Sequence, residues 1–351
     1  MLRLHRGGGV FLRRKPRVIV RRLALFLGLL WASSCASHAP EVAPQRPSHV
    51  HPGDEIVVCG ERFSTGGAPV VLWSEPPYYS AYRTAPRFGE DGPAGLRYRA
   101  GRAATDPELA AEVQRDGWDL ERLARQVDLF VLHYDVSGTS RRCFQTLQDD
   151  RGLSVHFLLD VDGTIYQTLD LVDQAWHARQ ANPRSIGIEI AQIGAYSPGT
   201  ASPLDRWYES GRGRARLLLP EPSGERVPGE YFAARPDRIQ GTLQGRALEQ
   251  YDFTPEQYVS LVLLTRTLRR VFPRIEAEVP RDAEGEVRSG VLSDDEFDAF
   301  HGILGHLHVS ASKIDPGPAF QWEAFLGAVR SEGPVDEARF GELDQRPYPS
   351  P

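Results

Sequence analysis

The pattern of apolar and polar positions in the second half of the chain predicts short strands that alternate with amphipathic helices. Residues 129–133, 155–160, 164–167 and 185–190 are apolar or β-branched runs of strand length, and the first has the unbroken apolar character of a buried strand. Asp162-Gly163 separates the second run from the third and is a strong signal for a hairpin turn. Strands interspersed with helices indicate an α/β domain with a single mixed central β-sheet flanked by helices.

Two capping boxes mark where helices begin. Residues 254–257 read Thr-Pro-Glu-Gln, which combines a capping box with proline at the first helical position. Apolar residues then recur at 3–4–3 spacing and predict one buried helix face: Leu261, Leu264, Leu268 and Val271. A second capping box begins at Ser293 and predicts a short helix through Phe300.

Three further elements rest on weaker signals. Ser140 is predicted to cap a helix that runs to about Asp149. Residues 303–309 are predicted to form a strand edge that carries His306, and residues 318–330 a last helix that packs its aromatic side chains.

The residues before the main domain predict a small extension. Two β-branched runs, 56–58 and 70–73, flank Gly66-Gly67, so a hairpin between these runs is expected. Residues 106–126 are polar and helix-prone. Because apolar residues are few, the whole segment 54–125 is predicted to wrap around the main domain rather than to fold alone.

Two other segments lack a clear period. Residues 197–252 are rich in Gly, Pro and Arg, and a loop of that length inside a compact domain indicates an insertion that is either functional or partly disordered. The main domain is therefore predicted over residues 126–332 with this insertion. The remaining tail, 333–351, is expected to be loose.

The first 35 residues have the composition of a secretory signal. A basic stretch precedes an apolar run over residues 23–31 and then small residues, and that run is too short to span a bilayer as a helix. Ala32-Ser33-Ser34-Cys35 resembles a bacterial lipobox, which implies a lipid on Cys35 and attachment to the outer membrane; ordinary cleavage near Ala36 is the alternative. Residues 36–53 are Pro-rich and are predicted to form an extended tether.

Charge and cysteine content limit the classes of partner. Loss of residues 1–35 removes eight basic and no acidic residues, so the formal net charge changes from −6 to −14. Such a surface argues against nucleic-acid binding. Cys59 and Cys143 then remain and could pair in an oxidising periplasm.

Candidate metal chemistry lies near the end of the main domain. Residues 305–317 hold His306, His308, Lys313 and Asp315 before an Asp-Pro-Gly turn. Imidazole nitrogens and carboxylate oxygens are zinc ligands, and an ammonium group can stabilise an oxyanion. The sequence contains neither a helical HExxH pair nor a CxxC pair. Spacing alone therefore cannot choose the metal ligands among six histidines: His133, His156, His177, His301, His306 and His308.

Five motifs occur in an order that resembles a known family, the type 2 N-acetylmuramoyl-L-alanine amidases, relatives of peptidoglycan recognition proteins and phage lysozyme-type amidases. The motifs are Phe130-Val131-Leu132-His133, the segment 155–167, Ala175-Trp176-His177-Ala178, Asn182 to Glu189, and Gly305-His306 with Lys313 to Gly317. The resemblance covers roughly residues 126–330 apart from the insertion. It implies the fold of the peptidoglycan recognition proteins.

The resemblance also implies the roles of individual residues. It places one zinc ion on His133, His306 and Asp315, with a fourth position left for water. Glu189 matches the general base of the family, and Lys313 matches the residue that stabilises the oxyanion. The resemblance further implies that Trp176, His177 and Asn182 lie near the substrate groove, with a structural role as the alternative.

Alternatives to this ligand set remain at the level of sequence. The interval from His306 to Asp315 is one residue shorter than expected for the family, so His308 is a rival ligand. His156, within a strand, is more consistent with packing or with support of a ligand. Cys143 as a ligand would have to displace Asp315 and is disfavoured.

The implied activity is zinc-dependent hydrolysis of the amide between N-acetylmuramic acid and L-alanine in peptidoglycan. The rival functions are a peptidoglycan-binding protein without catalysis and a zinc peptidase that acts within the stem peptide. The expected protein is a monomer in the periplasm, anchored to the outer membrane, with intact peptidoglycan or released muropeptides as substrate.

Overall fold

A computed structural model describes residues 52–89, 91–199, 202–211, 213–219 and 229–341. The predicted signal segment 1–35 and all but the last two residues of the tether 36–53 lie outside this range. Among the described residues, no helix is long and apolar enough to cross a membrane.

The strands in chain order are β1 (Glu55–Val58), β2 (Glu61–Ser64), β3 (Val70–Leu72), β4 (Tyr98–Arg99), β5 (Leu129–Tyr134), β6 (Phe157–Leu159), β7 (Ile165–Gln167), β8 (Gln174–Ala175), β9 (Ser185–Ile190), β10 (Tyr208–Gly211), β11 (Arg214–Leu217), β12 (Ile239–Leu243), β13 (Arg246–Gln250) and β14 (Gly302–Gly305). The α-helices are α1 (Pro107–Asp116), α2 (Leu120–Gln126), α3 (Ser140–Phe144), α4 (Leu204–Trp207), α5 (Pro255–Val271), α6 (Asp294–Ala299), α7 (His306–Val309), α8 (Trp322–Arg330) and α9 (Ala338–Gly341). A π-helical turn, Gln145–Arg151, continues α3, and a 3-10 turn occupies Arg179–Ala181.

Six strands form one mixed sheet in the order β14-β5-β9-β6-β7-β3. Strands β14, β5, β9 and β6 run parallel to their neighbours, β7 is antiparallel to β6, and β3 returns to a parallel pairing with β7. The α/β class with a single mixed sheet is confirmed. The carboxyl ends of β5, β9 and β14 meet at one edge, which is where ligand sites form in sheets of this kind.

The two faces of the sheet are covered differently. Phe130 and Leu132 belong to the large core that α5 and α8 help to form. Leu129 and Val131 point to the opposite face, into a smaller cluster with Phe297 of α6. Because side chains alternate along a strand, His133 shares the face of Leu129 and Val131.

A hairpin forms near the N-terminus of the described chain, but the expected partner strand was wrong. β1 pairs with β2, because Cys59 and Gly60 form a two-residue turn with φ of 49° and 78°, the positive values that such a turn requires. The Asp170 carboxylate accepts hydrogen bonds from both turn N–H groups, at 2.8 and 2.7 Å. The second apolar run instead becomes β3, the edge strand of the main sheet.

The insertion 197–252 is more ordered than its composition suggested. Its described residues form two antiparallel hairpins, β10–β11 and β12–β13. Tyr208 of the first and Tyr251, just after the second, stack with ring centroids 4.2 Å apart, within a separate apolar cluster. Aromatic side chains thus form the core of the insertion. The sequence did not predict this core because the apolar residues of the insertion follow no regular period.

Several predicted boundaries needed correction. The boxes at Thr254 and Ser293 cap α5 and α6 as predicted, but Thr139 rather than Ser140 caps α3. The predicted strand over 303–309 ends at Gly305, after which α7 begins at His306. The predicted helix over 318–330 begins only at Trp322.

Two other expectations differ from the structure. The described part of the tail is anchored, since Phe340 of α9 is fully buried and stacks on Tyr258 at 4.5 Å; residues from 342 onward lie outside the described range. Cys59 and Cys143 are both free thiols, so the disulfide considered from sequence does not form.

Candidate active site and metal centre

Three side chains from distant parts of the chain converge at the carboxyl edge of the sheet. The donor atoms of His133, His306 and Asp315 all lie within 4.8 Å of one another. Nδ1 of His133 is 2.9 Å from Nδ1 of His306 and 3.2 Å from Oδ2 of Asp315. Nδ1 of His306 is 3.0 Å from the same carboxylate oxygen. These are the three residues that the resemblance implied as metal ligands.

The loop that carries two of these side chains is closed by a close backbone approach. A Cβ atom on Gly305 would lie 2.7 Å from Cδ of Pro316 and 3.1 Å from the Asp315 carbonyl oxygen. The N–H of Leu307 donates to that same carbonyl at 3.1 Å. Because residue 305 has no side chain, the chain can fold back and bring Asp315 beside His306.

The insertion supports this loop from outside. The side-chain amide of Gln250 donates to the carbonyl of Pro316 at 3.1 Å and accepts from the N–H of Ala319 at 3.0 Å. The side chain of Gln244 donates to the carbonyl of Leu307 at 2.7 Å. The β12–β13 hairpin therefore braces both ends of the loop, a role that the sequence did not reveal.

His308 does not join the cluster. Its Nδ1 accepts the N–H of Gly305 at 2.9 Å, and its Nε2 donates to the carbonyl of Arg288 at 2.8 Å. His156 is likewise occupied elsewhere, with Nδ1 accepting the N–H of Gly187 at 3.0 Å. Both rings are fully buried. Both nitrogens of His308 are committed to backbone groups, so the geometry favours His306 over this rival.

Burial and mutual charge set the protonation of the cluster. Desolvation, followed by the nearby His306, lowers the pKa of His133 to about 4, so the ring is neutral at pH 7. Burial alone would raise the pKa of Asp315, but the His306 and His133 imidazoles hold it below its usual value. A neutral imidazole beside a carboxylate is the protonation state that a metal ion requires of its ligands.

Glu189 and Lys313 flank the cluster. Glu189 stands opposite His133 in the parallel pairing of β9 with β5, and it keeps partial exposure at the rim. Desolvation, then the charges of Asp315 and Asp135, raise the pKa of Glu189 well above its usual value. Lys313 lies two residues before Asp315 in the chain, and its positive charge lowers the pKa values of both Glu189 and His133.

Comparison with known sequences decides the family. The sequence model described as N-acetylmuramoyl-L-alanine amidase matches residues 123–318, which is more than half of the chain. The chain belongs to this amidase family. No curated protein sequence matches the chain.

Three solved structures are similar to parts of the chain. The chain is similar to the N-acetylmuramyl-L-alanine amidase AmiD from E. coli, in complex with an anhydro-N-acetylmuramic acid tripeptide, with 18% identity, coverage of 58% of this chain and 57% of that one, and a TM-score of 0.32. It is also similar to AmpD, with 18% identity, coverage of 70% and 94%, and a TM-score of 0.30. LysC from Clostridium intestinale has 15% identity, coverage of 60% and 89%, and a TM-score of 0.30. Family membership rests on the sequence match.

The donor set of this amidase-family site suits zinc. Two imidazole nitrogens and one carboxylate oxygen are ligands that zinc accepts, and three protein ligands leave one position open in a catalytic site. His133 and Asp315 are almost completely buried, at 2% and 6% exposure. Buried charges in proteins are paired or coordinate metals, and His133, His306 and Asp315 are the residues that would hold a cation.

The residues implied to lie near the substrate groove have different surroundings. The side-chain oxygen of Asn182 accepts the N–H groups of His177 and Ala178, at 3.2 and 2.7 Å. The backbone N–H of Trp176 donates to Oγ of Ser154 at 3.0 Å, and the residue is partly exposed. Asn182 therefore shapes the turn that carries His177, which itself lies against His133 rather than in open solvent.

Arg102 is a buried residue that the sequence pattern does not reveal. Arg102 is only 3% exposed and donates to the carbonyls of Leu171, Ser185 and Asn182, at 2.9, 2.8 and 3.2 Å. Burial lowers the pKa of Arg102 to about 9. It joins the N-terminal extension to the segment around β9, and no local pattern distinguishes it from the exposed arginines nearby.

Proposed function

We propose that this protein is a zinc-dependent N-acetylmuramoyl-L-alanine amidase, which hydrolyses the amide between the lactyl group of N-acetylmuramic acid and L-alanine. The observation that carries the proposal is the buried His133–His306–Asp315 cluster, with Glu189 and Lys313 beside it, in a chain of the amidase family.

The protein groups divide the reaction between them. Glu189 takes a proton from the attacking water, whose oxygen bonds to the lactyl carbonyl carbon, and returns the proton to the departing alanine nitrogen. The ammonium of Lys313 stabilises the negative charge that develops on the former carbonyl oxygen. His133, His306 and Asp315 would hold zinc, which would supply Lewis acidity for a carbonyl and would lower the pKa of water to about 7.

The surroundings of Glu189 raise its pKa above that of an exposed glutamate, which is the direction that strengthens a base. Because desolvation and two neighbouring carboxylates raise it, the Glu189 carboxylate binds a proton more strongly than an exposed glutamate does. A general base is most effective when its pKa approaches the working pH. The same surroundings that make the charged form costly therefore improve proton abstraction.

Product analysis tests the proposal directly. Purified sacculi are digested with zinc-loaded protein and, as a control, with chelated protein, and the released material is identified by mass spectrometry. Intact stem peptides with a free L-alanine amine are expected from the zinc-loaded protein alone. Shortened peptides would instead show a peptidase that acts within the stem, and binding to sacculi without released products would show a peptidoglycan-binding protein.

We also propose that the protein works at the periplasmic side of the outer membrane. The support is the sequence before the described residues: a basic and apolar leader, Cys35 in a lipobox-like context, and a Pro-rich tether over 36–53. One acyl chain anchors a protein only marginally, so several chains are expected on Cys35. Palmitate labelling should follow the mature protein, and Cys35→Ser should move it to the soluble fraction; a variant that stays in the membrane overturns the anchor.

A further inference from the structure

His177 contacts a candidate metal ligand from the side opposite to the metal site. Its Nδ1 atom is 2.9 Å from Nε2 of His133, while Nδ1 of His133 faces His306 and Asp315. The two rings meet nearly edge to face, with an interplanar angle of 84° and centroids 5.2 Å apart. On its far side, Nε2 of His177 lies 3.2 Å from Oγ of Ser185.

The backbone of β9 makes room for this ring. A Cβ atom on Gly187 would lie 2.5 Å from both Cε1 and Nδ1 of His177, closer than any side chain could tolerate. Asn182 holds the backbone of the same residue, since its Oδ1 accepts the backbone N–H of His177 at 3.2 Å. The position of the imidazole is therefore set by the absence of a side chain at 187 and by a hydrogen-bonded turn.

The hydrogen-bond pattern permits one arrangement when His133 binds a metal. A neutral imidazole carries a single N–H, so a His133 that ligates through Nδ1 bears its hydrogen on Nε2. That hydrogen points to Nδ1 of His177, which must then accept it. The N–H of His177 consequently lies on Nε2, towards Oγ of Ser185. In this arrangement Nδ1 of His133 faces the metal site, Nε2 of His133 donates to Nδ1 of His177, and Nε2 of His177 donates to Oγ of Ser185.

We propose that His177 is a positioning residue: it accepts the Nε2 hydrogen of His133 and so holds Nδ1 of His133 towards His306 and Asp315. The proposal rests on the metal site of the proposed function. Partners of this kind fix the tautomer and orientation of a ligating histidine, and their loss typically weakens metal binding roughly 10- to 100-fold.

A direct contact between His177 and substrate fits the geometry less well. Both ring nitrogens already face protein atoms, His133 on one side and Ser185 on the other. A substrate hydrogen bond would have to break one of these contacts. The role of His177 is thus exerted through His133.

The test measures metal binding without substrate. His177→Phe keeps a planar ring but has no acceptor, whereas His177→Asn places an amide oxygen near the position of Nδ1. The zinc dissociation constant is measured by competition with a chromophoric chelator, and the absorption spectrum of the cobalt-substituted protein reports ligand geometry. His301→Asn is the matched control, because His301 also contacts a carboxylate, that of Asp128 at 3.0 Å, away from the cluster.

His177→Phe is expected to bind zinc about 10- to 100-fold more weakly and to change the cobalt spectrum, while His177→Asn and His301→Asn stay close to the wild type. Equal affinity in His177→Phe and the wild type overturns the proposal, as does a His177→Asn variant as weak as His177→Phe, or a wild-type protein that binds neither metal. A wild-type protein that binds zinc normally but releases no stem peptides contradicts the proposed function alone.

Discussion

His133 and Glu189 occupy paired positions on the neighbouring parallel strands β5 and β9. In-register residues of adjacent strands project from the same face of a sheet, and adjacent strands lie about 4.8 Å apart. The distance between a candidate ligand and the candidate base is therefore fixed by the hydrogen bonding of the sheet. A loop could not hold two chemical groups in register as firmly.

The first prediction concerns that base. Glu189→Gln keeps the shape of the side chain but cannot take a proton, so turnover on sacculi should fall roughly 100- to 10,000-fold, with zinc affinity unchanged. Rates of stem-peptide release and a zinc titration measure the two effects. Glu61→Gln, on the exposed strand β2, is the control. Full activity in Glu189→Gln would remove Glu189 from the mechanism.

The second prediction separates the two histidines of the 305–317 loop. His306→Ala should weaken zinc binding by more than the roughly 10- to 100-fold typical of a residue outside the ligand set. His308→Asn should keep zinc binding, because the Asn oxygen can accept the N–H of Gly305, but should lose about 1–3 kcal/mol of stability by leaving the Arg288 carbonyl unpaired. Zinc competition and urea denaturation provide the measurements. The opposite order of zinc affinities would make His308 the ligand.

The third prediction uses the contact between Gly187 and His177. Gly187→Ala adds a methyl group 2.5 Å from the imidazole, so the ring must shift and its contact with Nε2 of His133 is disturbed. Zinc affinity should fall and the cobalt spectrum should change in the same sense as for His177→Phe. Gly211→Ala is the control, since a Cβ atom there meets nothing within 4 Å. A Gly187→Ala protein with wild-type zinc affinity would mean that the ring position does not matter.

The fourth prediction is a pH dependence of stability. Desolvation, then the charge of Asp162, raise the pKa of the buried Asp160 to about 7, above the value of about 3.9 in an unfolded chain. The folded protein therefore binds more protons between these values, and the stabilising contribution of Asp160, complete below about pH 4, is lost as the pH rises through 7.

Asp160→Asn should consequently flatten the fall in unfolding free energy between pH 4 and 7, by at most about 1.4 kcal/mol per pH unit. Urea denaturation of chelated protein at several pH values measures the slope. Some slope should remain, because burial also raises the pKa of Asp135 to about 7. Identical slopes for the variant and the wild type would show that Asp160 does not retain its proton in the folded state.

The fifth prediction concerns the end of the described chain. Phe340 is fully buried and stacks on Tyr258 of α5, so Phe340→Ala should lower the free energy of unfolding by about 3–5 kcal/mol. Leu218→Ala, at a side chain that is 37% exposed, should cost less than about 0.5 kcal/mol. If thermal and urea unfolding show equally small losses of stability for Phe340→Ala and Leu218→Ala, α9 does not contribute to the core.

The sequence by itself determined most of the local structure of the main domain. The capping boxes at Thr254 and Ser293, the Asp162-Gly163 turn and the apolar runs of β5 and β9 each act through neighbours within a few residues, so their patterns survive in one dimension. The ordered series of motifs likewise indicated the family, because each motif is a short run of neighbouring residues. Boundaries such as that between Gly305 and His306 were missed because a strand end depends on what the next residues contact.

Only the tertiary structure decided which groups meet. Asp315 lies 182 residues after His133, and no spacing rule connects them; the parallel register of β14, β5 and β9 does. The same holds for β1, which pairs with β2 because Asp170 supports the turn, and for the insertion, whose Gln250 braces the loop of Asp315. Contacts across such separations are selected by packing and hydrogen bonding of the whole fold, and a sequence shows only the residues that are available for them.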